Sequence, residues 1–214
     1  MENTINYGID LGTTNSAIAK FVKGEVIIFS NPQDYGRNTL PSIVGYKKDK
    51  ILVGKQARVF SEKDPKSVVS VFKRKMGTAE SFKIKSINES KTPIELSAQV
   101  LKELKTFVNT GDNLDAAVIT IPASFDIIQS NATKEAGLQA GFKQVVLLQE
   151  PIAASLAYAN MKKEREMKEG QWLVYDLGGG TFDVALVKIK DGEMKVLDHE
   201  GDNFLGGADF DNMI

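Results

Sequence analysis

The fold follows from one stretch of sequence, Trp172-Leu-Val-Tyr-Asp-Leu-Gly-Gly-Gly-Thr-Phe-Asp-Val-Ala-Leu-Val187. An apolar run leads to Asp176, three glycines and Thr181 follow, and alternating apolar residues return the chain, which is the pattern of a β-hairpin. Glycines in the turn allow positive φ and let backbone N–H groups converge on an anion. Because an aspartate beside such a turn would repel phosphate, the pattern indicates a divalent cation or its water shell between them.

The same pattern occurs near the start of the chain, in Tyr7-Gly-Ile-Asp-Leu-Gly-Thr-Thr-Asn-Ser-Ala-Ile-Ala19. Both copies run from an apolar strand into Asp-Leu-Gly, and their aspartates, Asp10 and Asp176, lie a domain's length apart. A tight turn capped by its own aspartate explains a single copy. Two copies favour a duplicated architecture in which two hairpins face phosphate.

Composition limits the class of protein. The 214 residues are 42% hydrophobic and 26% charged, as in soluble globular α/β proteins. A net charge of −1 with interspersed signs gives no electrostatic basis for binding nucleic acid. The apolar runs are too short to span a membrane, and the first residues have neither the basic region nor the apolar region expected of a leader peptide. The absence of cysteine suits a reducing compartment, so we expect a cytoplasmic protein with neither nucleic acid nor membrane as partner.

Hydrophobic periodicity predicts an α/β chain with antiparallel strands, helices, a strand–helix–strand–helix unit and a second antiparallel meander. We expect both glycine hairpins in one mixed sheet region with flanking helices. The predicted strands cover residues 5–21, 25–29, 42–46, 51–53, 116–121 and 145–148, and residues 78–91 are expected to form a flexible excursion. The predicted helices cover residues 55–60, 65–76, 93–108, 125–140 and a segment that begins at Glu150 and packs closely through alanines.

The predicted helix 65–76 carries three consecutive basic residues, Lys73, Arg74 and Lys75. A basic face in contact with solvent explains them, and contact with a phosphate is the alternative. Spacing alone does not decide which of the three would reach a phosphate.

Seven motifs then occur in the order of a known family: Ile9-Asp-Leu-Gly-Thr-Thr-Asn-Ser16, Phe72-Lys-Arg74, Ile119-Thr-Ile-Pro-Ala123, Ala132-Thr-Lys-Glu-Ala-Gly137, Glu150-Pro151, Asp176-Leu-Gly-Gly-Gly-Thr-Phe-Asp183 and Leu205-Gly-Gly-Ala-Asp-Phe-Asp211. Together they resemble the nucleotide-binding domain of the heat shock protein 70 chaperones, in the actin and sugar-kinase superfamily. The resemblance implies an actin-like ATPase (ribonuclease H-like) fold. Residues 1–170 would form lobe I, with a smaller outer subdomain at about 36–108, and 171–214 the first hairpin region of an incomplete lobe II.

The resemblance also implies a site for ATP/ADP, Mg²⁺ and K⁺. The implied nucleotide-binding residues are Gly12, Thr13, Thr14, Asn15, Gly178, Gly179, Gly180, Thr181, Gly206 and Gly207. The implied catalytic residues are Lys73, which would face the γ-phosphate, and Asp10, Glu150, Asp176 and Thr181. Asp10, Glu150 and Asp176 would hold Mg²⁺ through water, and Asp183 would bind a monovalent cation. Pro122 would couple the site to a substrate-binding domain.

Several features depart from the family pattern. Gln129-Ser130-Asn131 stands where the family has Gln-Arg-Gln, which puts the usual interdomain coupling in question. Ala208 replaces the usual glutamate, and residues 78–91 look shorter than the family's excursion. The chain also ends early, so we expect an engineered fragment or truncated product that binds nucleotide weakly and hydrolyses it poorly. The implied partners are unfolded polypeptides, bound by a substrate-binding domain absent from this chain, a J-domain co-chaperone and a nucleotide-exchange factor.

Two other functions of the same superfamily remain as alternatives. A small-molecule kinase would need a base beside a substrate hydroxyl, and no such constellation is recognisable in the sequence. An actin-like filament protein would need self-assembly surfaces, which sequence does not reveal.

Overall fold

The computed structural model describes residues 5–111, 113–161 and 169–213. This part of the chain forms fourteen strands and five α-helices. The strands are β1 (Tyr7–Leu11), β2 (Asn15–Val22), β3 (Glu25–Ile28), β4 (Leu40–Pro41), β5 (Ile43–Lys47), β6 (Lys50–Val53), β7 (Val68–Ser70), β8 (Phe82–Ile84), β9 (Glu89–Lys91), β10 (Ala116–Ile121), β11 (Gln144–Gln149), β12 (Gly170–Leu177), β13 (Phe182–Lys190) and β14 (Glu193–Asp202). The helices are α1 (Lys55–Ser61), α2 (Pro93–Lys105), α3 (Ile127–Gln139), α4 (Glu150–Met161) and α5 (Gly207–Asp211).

The main sheet is mixed, as the sequence predicts. Its strands lie in the order β11-β10-β1-β2-β3, with β4 paired to β2. Strand β1 is antiparallel to β2 and parallel to β10, which is parallel to β11. Because the carboxyl ends of parallel strands meet at one edge of a sheet, Asp10 of β1 and Thr120 of β10 come together there, with 2.9 Å between their side-chain oxygens.

Helices cover this sheet where the apolar periodicity predicts them. Helix α2 begins at a capping box formed by Thr92 and Glu95, which satisfies N–H groups that the first turn leaves unbonded. Its apolar residues at helical spacing are fully buried in the core: Leu96, Val100, Leu101 and Leu104. Helix α3 begins two residues later than predicted, because Asp126 and Gln129 form a second capping box. The helix predicted from Glu150 is α4.

The helix predicted over residues 65–76 is wrong. Residues Pro65–Ser67 form a 3₁₀ turn, β7 follows and pairs with β5, and Phe72–Lys75 form a second 3₁₀ turn. Two β-branched residues, Val68 and Val69, favour the extended conformation that lets this segment complete a three-stranded sheet with β5 and β6. Val71 then adopts a positive φ of 50°, which breaks any helix at that position.

Residues 78–91 are also more regular than predicted. They contain the hairpin β8–β9, in which Ile84 is fully buried. Asn88 adopts a φ of 53° in the turn, a conformation that asparagine tolerates better than most residues. A short polar hairpin held by one buried side chain explains why hydropathy alone predicts a flexible loop here.

The two glycine hairpins do not share a sheet, which corrects the expectation of one mixed sheet region. The first is β1–β2 of the main sheet, and the second is β12–β13 of a separate sheet in the order β12-β13-β14. Strand β14 occupies the edge of β13, following a turn in which Asp191 and Gly192 both have positive φ. The division of the chain into lobes at about residue 170, with an outer subdomain at 36–108, stays a prediction.

Candidate functional site

The two glycine hairpins meet at a cavity of about 460 Å³. The first hairpin and its strand edge contribute Asp10, Gly12, Thr13, Thr14, Asn15 and Thr120. The second contributes Asp176, Gly178, Gly179 and Thr181, and the walls are completed by Lys73, Glu150, Ala153, Ala154 and Ala157. The cavity therefore brings together eleven of the residues that the sequence predicts as catalytic or nucleotide-binding, plus four that it does not.

Close packing of the two loops explains their glycines. A Cβ atom on Gly179 would overlap the side chain of Thr14, and one on Gly180 would overlap that of Thr13. None of Gly12, Gly178, Gly179 and Gly180 has a positive φ, so the conformational reason given from sequence is wrong for these loops. Glycine is needed at positions 179 and 180 because the backbone of the second loop packs against the side chains of Thr14 and Thr13 in the first.

Helix α5 supports the second loop from the side opposite the cavity. The N–H of Gly207 donates to the carbonyl of Gly178 at 3.0 Å, and the N–H of Ala208 donates to Gly179 at 2.9 Å. A side chain on Gly206 would overlap the backbone of Gly179 and Gly180. Gly180, Gly206 and Gly207 thus lie behind the cavity wall and do not line it.

The second 3₁₀ turn distinguishes the three basic residues. Lys73 is 5% exposed and donates to Glu150 Oε1 at 2.8 Å, and its ammonium lies 5.6 Å from the centre of the Phe125 ring. Arg74 donates to Gly180 O and to the Asp209 carboxylate, away from the cavity lining. Lys75 pairs with Glu80 near the surface. Lys73 is therefore the basic residue of this turn that lines the cavity.

Three carboxylates line the cavity with this one ammonium: Asp10, Glu150 and Asp176. Partial burial, followed by the nearby carboxylates of Asp183 and Asp10, raises the pKa of Asp176. An excess of negative charge in a cavity walled by backbone amides fits a cation better than a bare anion. Among the described residues, no three acidic, cysteine or histidine side chains are grouped closely enough to ligate a metal ion directly.

Two buried oxygens without a hydrogen-bond partner mark further places for a ligand. Thr14 Oγ1 is one, and Thr14 lines the cavity. Asp183 Oδ1 is the other. Asp183 of β13 lies directly opposite Asp176 of β12 in the antiparallel register, and it does not line the cavity. Burial raises the pKa of Asp183, with the Ser124 hydroxyl acting in the opposite direction. Unpaired buried acceptors are costly and rare in proteins, which favours a bound group at each position.

Sequence reasoning missed Thr120 and the cavity-lining role of the α4 alanines. The hydroxyl of Thr120 donates to Asp10 Oδ1 at 2.9 Å and so orients that carboxylate. The sequence showed only that Thr120 lies at the end of a buried strand, and the parallel pairing with the strand of Asp10 became known from the structure. Ala153, Ala154 and Ala157 were expected to pack against a sheet, and their short side chains instead leave the cavity open.

Pro122, the predicted coupling residue, is buried directly after β10. Its carbonyl accepts a hydrogen bond from the N–H of Phe125 at 3.3 Å, and the Phe125 ring contacts Lys73. Pro122 is thus linked to the cavity through a single intervening residue. Ser130, which stands where the family pattern has arginine, lies half-buried in the first turn of α3.

Comparisons with known proteins identify the family of the chain. The family model described as Hsp70 protein matches residues 6–214. "Chaperone protein DnaK" of Mycoplasmoides gallisepticum is 45% identical over 99% of this chain and 35% of its own length. The proteins of the same name from Ureaplasma urealyticum and Mycoplasma mobile are each 44% identical, over 100% and 97% of this chain.

The chain spans about a third of the length of these curated relatives. In the part that the structure describes, no helix is both long enough and apolar enough to cross a membrane. The fold, a mixed sheet with flanking helices, is consistent with the actin-like ATPase domain of that family. The chain belongs to the heat shock protein 70 family.

Proposed function

We propose that this chain binds the phosphates of MgATP between its two glycine loops and forms part of the ATPase domain of an Hsp70-type molecular chaperone. The observation that carries the proposal is the interlocking of Gly179 with Thr14 and Gly180 with Thr13 around a cavity that contains Lys73. The loops contribute backbone amides and threonine hydroxyls to the cavity, and these groups are suited to binding phosphate. Residues 1–170 would form lobe I, with 36–108 as its outer subdomain, and 171–214 the start of lobe II.

Each polar side chain of the cavity has a proposed role in ATP hydrolysis. Lys73, held by Glu150 at 2.8 Å, would stabilise charge on the γ-phosphate, and Thr181 would contact the same group. Asp10 and Asp176 would orient the attacking water, because both line the cavity together with Lys73. Asp10, Glu150 and Asp176 would hold Mg²⁺ through its water shell. Bound Mg²⁺ supplies neutralisation of the phosphate charges.

Asp183 would bind a monovalent cation such as K⁺. Its Oδ1 atom is buried without a hydrogen-bond partner, and its neighbour Asp176 adds negative charge. A weakly hydrated monovalent ion would bind this oxygen and neutralise only part of the combined charge of Asp176 and Asp183. Replacing K⁺ by Na⁺ in the buffer and measuring nucleotide affinity tests this role.

The activity of a whole chaperone would require segments outside this chain. We propose that the longer protein acts in the cytoplasm and couples ATP hydrolysis to the binding of unfolded polypeptides. A J-domain co-chaperone and a nucleotide-exchange factor would regulate it. Pro122 would transmit the state of the cavity, since its carbonyl is bonded to Phe125 and Phe125 contacts Lys73. Serine at position 130 leaves this coupling without the arginine of the family pattern.

Calorimetric titration of this chain with MgATP, MgADP and magnesium tripolyphosphate tests the proposal. We expect saturable binding of all three, because the loops bind phosphate groups, and loss of binding after chelation of the metal. Thr14→Val removes the unpaired hydroxyl and should weaken binding by roughly tenfold. Thr106→Val removes a surface hydroxyl that bonds only to Glu103 O, so it serves as the matched control. A cooperatively folded chain that binds none of the three would contradict phosphate binding by these loops.

The two alternatives of the same superfamily are tested in the same samples. Transfer of ³²P from ATP to added sugars would indicate a small-molecule kinase. An increase in light scattering on addition of MgATP would indicate a filament-forming protein. The match to chaperone relatives along nearly the whole chain favours neither the kinase nor the filament-forming protein.

A further inference from the structure

Arg74 links the second 3₁₀ turn to the second glycine loop and α5, which lie far from it in sequence. Its Nε donates to Gly180 O at 2.7 Å, and its Nη1 donates to Asp209 Oδ1 at 3.0 Å. Its Nη2 donates to the second Asp209 oxygen, so the pair is bidentate. The side chain is 13% exposed, and the contacts bridge 106 and 135 residues of sequence. Arg74 is thus a partly buried link that makes three hydrogen bonds from the second 3₁₀ turn to the second glycine loop and α5.

The geometry of the second 3₁₀ turn explains why Lys73 and Arg74, although adjacent in sequence, contact different parts of the protein. Successive side chains of a 3₁₀ helix lie about 120° apart, because three residues complete a turn. Lys73 therefore reaches Glu150 in the cavity, while Arg74 reaches the opposite side of the glycine loop. The turn starts after Val71, whose positive φ is costly for a β-branched residue. Such local strain persists only when surrounding contacts hold the turn in place.

Every carbonyl of the three-glycine loop receives a hydrogen bond from outside the loop. Gly178 O accepts from Gly207 N–H and Gly179 O from Ala208 N–H, as described above, and Gly180 O accepts from Arg74. Two of these donors belong to α5, and Asp209 of the same helix holds Arg74. Asp209 also accepts from Gly206 N–H at 2.8 Å, and the guanidinium of Arg74 lowers its pKa. The loop, α5 and the lysine-bearing turn form one connected unit.

We propose that Arg74 is a positioning residue that fixes the second glycine loop relative to Lys73. The catalytic part of this inference rests on the proposed function, in which the second glycine loop and Lys73 act on the terminal phosphate of ATP. A movement of the loop away from the cavity would break its hydrogen bond to Arg74, and a movement of the loop together with α5 would break all three hydrogen bonds of Arg74 or displace Lys73, its neighbour in the chain. Lysine cannot replace arginine here, because a single ammonium cannot reach Gly180 O and both oxygens of Asp209 in this fork geometry.

The first test needs no nucleotide. Backbone amide exchange measured by NMR on Arg74→Lys should rise at least tenfold for Gly178 and for residues 206–209, whose N–H groups are hydrogen-bonded, and stay unchanged in β10. Asp209→Asn removes the charge at the other end of the link and should give the same pattern, which covers the case in which one variant folds poorly. Arg37→Lys is the matched control, because Arg37 forms an exposed pair with Asp34. Unchanged exchange in the loop of both variants would overturn the proposal.

The second test separates positioning from simple charge. In the full-length protein, Arg74→Lys should lower kcat for ATP by at least tenfold and change KM by less than threefold, since charge is kept and alignment is lost. Full kcat in Arg74→Lys would overturn a positioning role. If the unaltered protein neither binds nor hydrolyses ATP, the proposed function fails, whereas the exchange measurement still decides whether Arg74 fixes the loop.

Discussion

Lys73 Nζ and Glu150 Oε1 lie 2.8 Å apart although 77 residues separate them in sequence, and the lysine side chain is almost fully buried. Removing either partner of a buried ion pair is unfavourable, because the remaining charge is then desolvated and unpaired. The pair joins the second 3₁₀ turn to the first residue of α4 and holds an ammonium at the cavity wall. This arrangement prepares a positive charge for an anionic ligand before the ligand arrives.

Lys73→Ala should abolish turnover without abolishing binding. Removing one preorganised donor from a reacting centre reduces kcat by about 10²–10³-fold in known enzymes, whereas the glycine loops still contact the phosphates. Single-turnover hydrolysis and MgATP affinity, both measured on the full-length protein, check this prediction. Lys75→Ala is the control, because its ammonium pairs with Glu80 near the surface. Retained turnover in Lys73→Ala would exclude this lysine as the catalytic ammonium.

Gly179→Ala should disrupt the approach of the two loops. The added Cβ atom would overlap Thr14 Oγ1 and Cβ, so the loops must separate or the backbone must shift. We expect affinity for MgADP to fall by at least tenfold, measured by calorimetry, while the main sheet stays folded. Gly170→Ala tests the effect of an added methyl group where no atom lies within 4 Å and φ is not positive. Equal affinities for the two variants would contradict close packing of the loops.

The motifs predicted the fold and most of the cavity because each demands a particular residue type at a fixed place. Asp10, Gly179 and Thr181 were recognisable for this reason, and the structure brings all three to one cavity. Arg74 and Thr120 act through contacts over more than a hundred residues, and such contacts leave no local pattern. The partners of these two side chains became visible only once the strands and turns were placed in space.

The errors of prediction have physical causes as well. Val68, Val69, Phe72 and Met76 follow a helical period, but edge pairing with β5 decided the conformation of the first two. The alternation of apolar and polar residues predicted both glycine hairpins correctly. It did not indicate which sheet each hairpin would join. A period of two fixes which residues share a face, whereas the partner strand depends on the edges left free elsewhere in the fold.

Tyr46→Phe should make the protein more resistant to alkali. Burial, followed by Glu95 and Glu89, raises the pKa of Tyr46 to about 12. Between pH 10 and 12 the unfolded chain loses the phenolic proton and the folded chain keeps it, so the free energy of unfolding falls as pH rises, by about 3 kcal/mol for this residue. Urea unfolding at pH 8, 10 and 11.5 measures the difference from Tyr46→Phe. Tyr35→Phe is the control, since Tyr35 is 95% exposed, and parallel pH curves for both variants would contradict this account.

Thr120→Val should weaken the dependence of nucleotide binding on Mg²⁺. The Thr120 hydroxyl donates to Asp10 Oδ1 at 2.9 Å, and the substitution keeps the β-branched shape of a strand residue. Loss of a hydrogen bond to a charged group costs roughly 1.5–3 kcal/mol, so the Mg²⁺ concentration for half-maximal MgADP binding should rise by about tenfold or more. Fluorescence of Trp172, the single tryptophan of the chain, provides the signal, because its ring contacts Tyr158 of α4 beside the cavity alanines. Thr78→Val, which removes an exposed hydroxyl, should leave the curve unchanged. If Thr120→Val binds at the Mg²⁺ concentration of the unaltered chain, Asp10 does not need its hydroxyl partner to orient the hydrated ion.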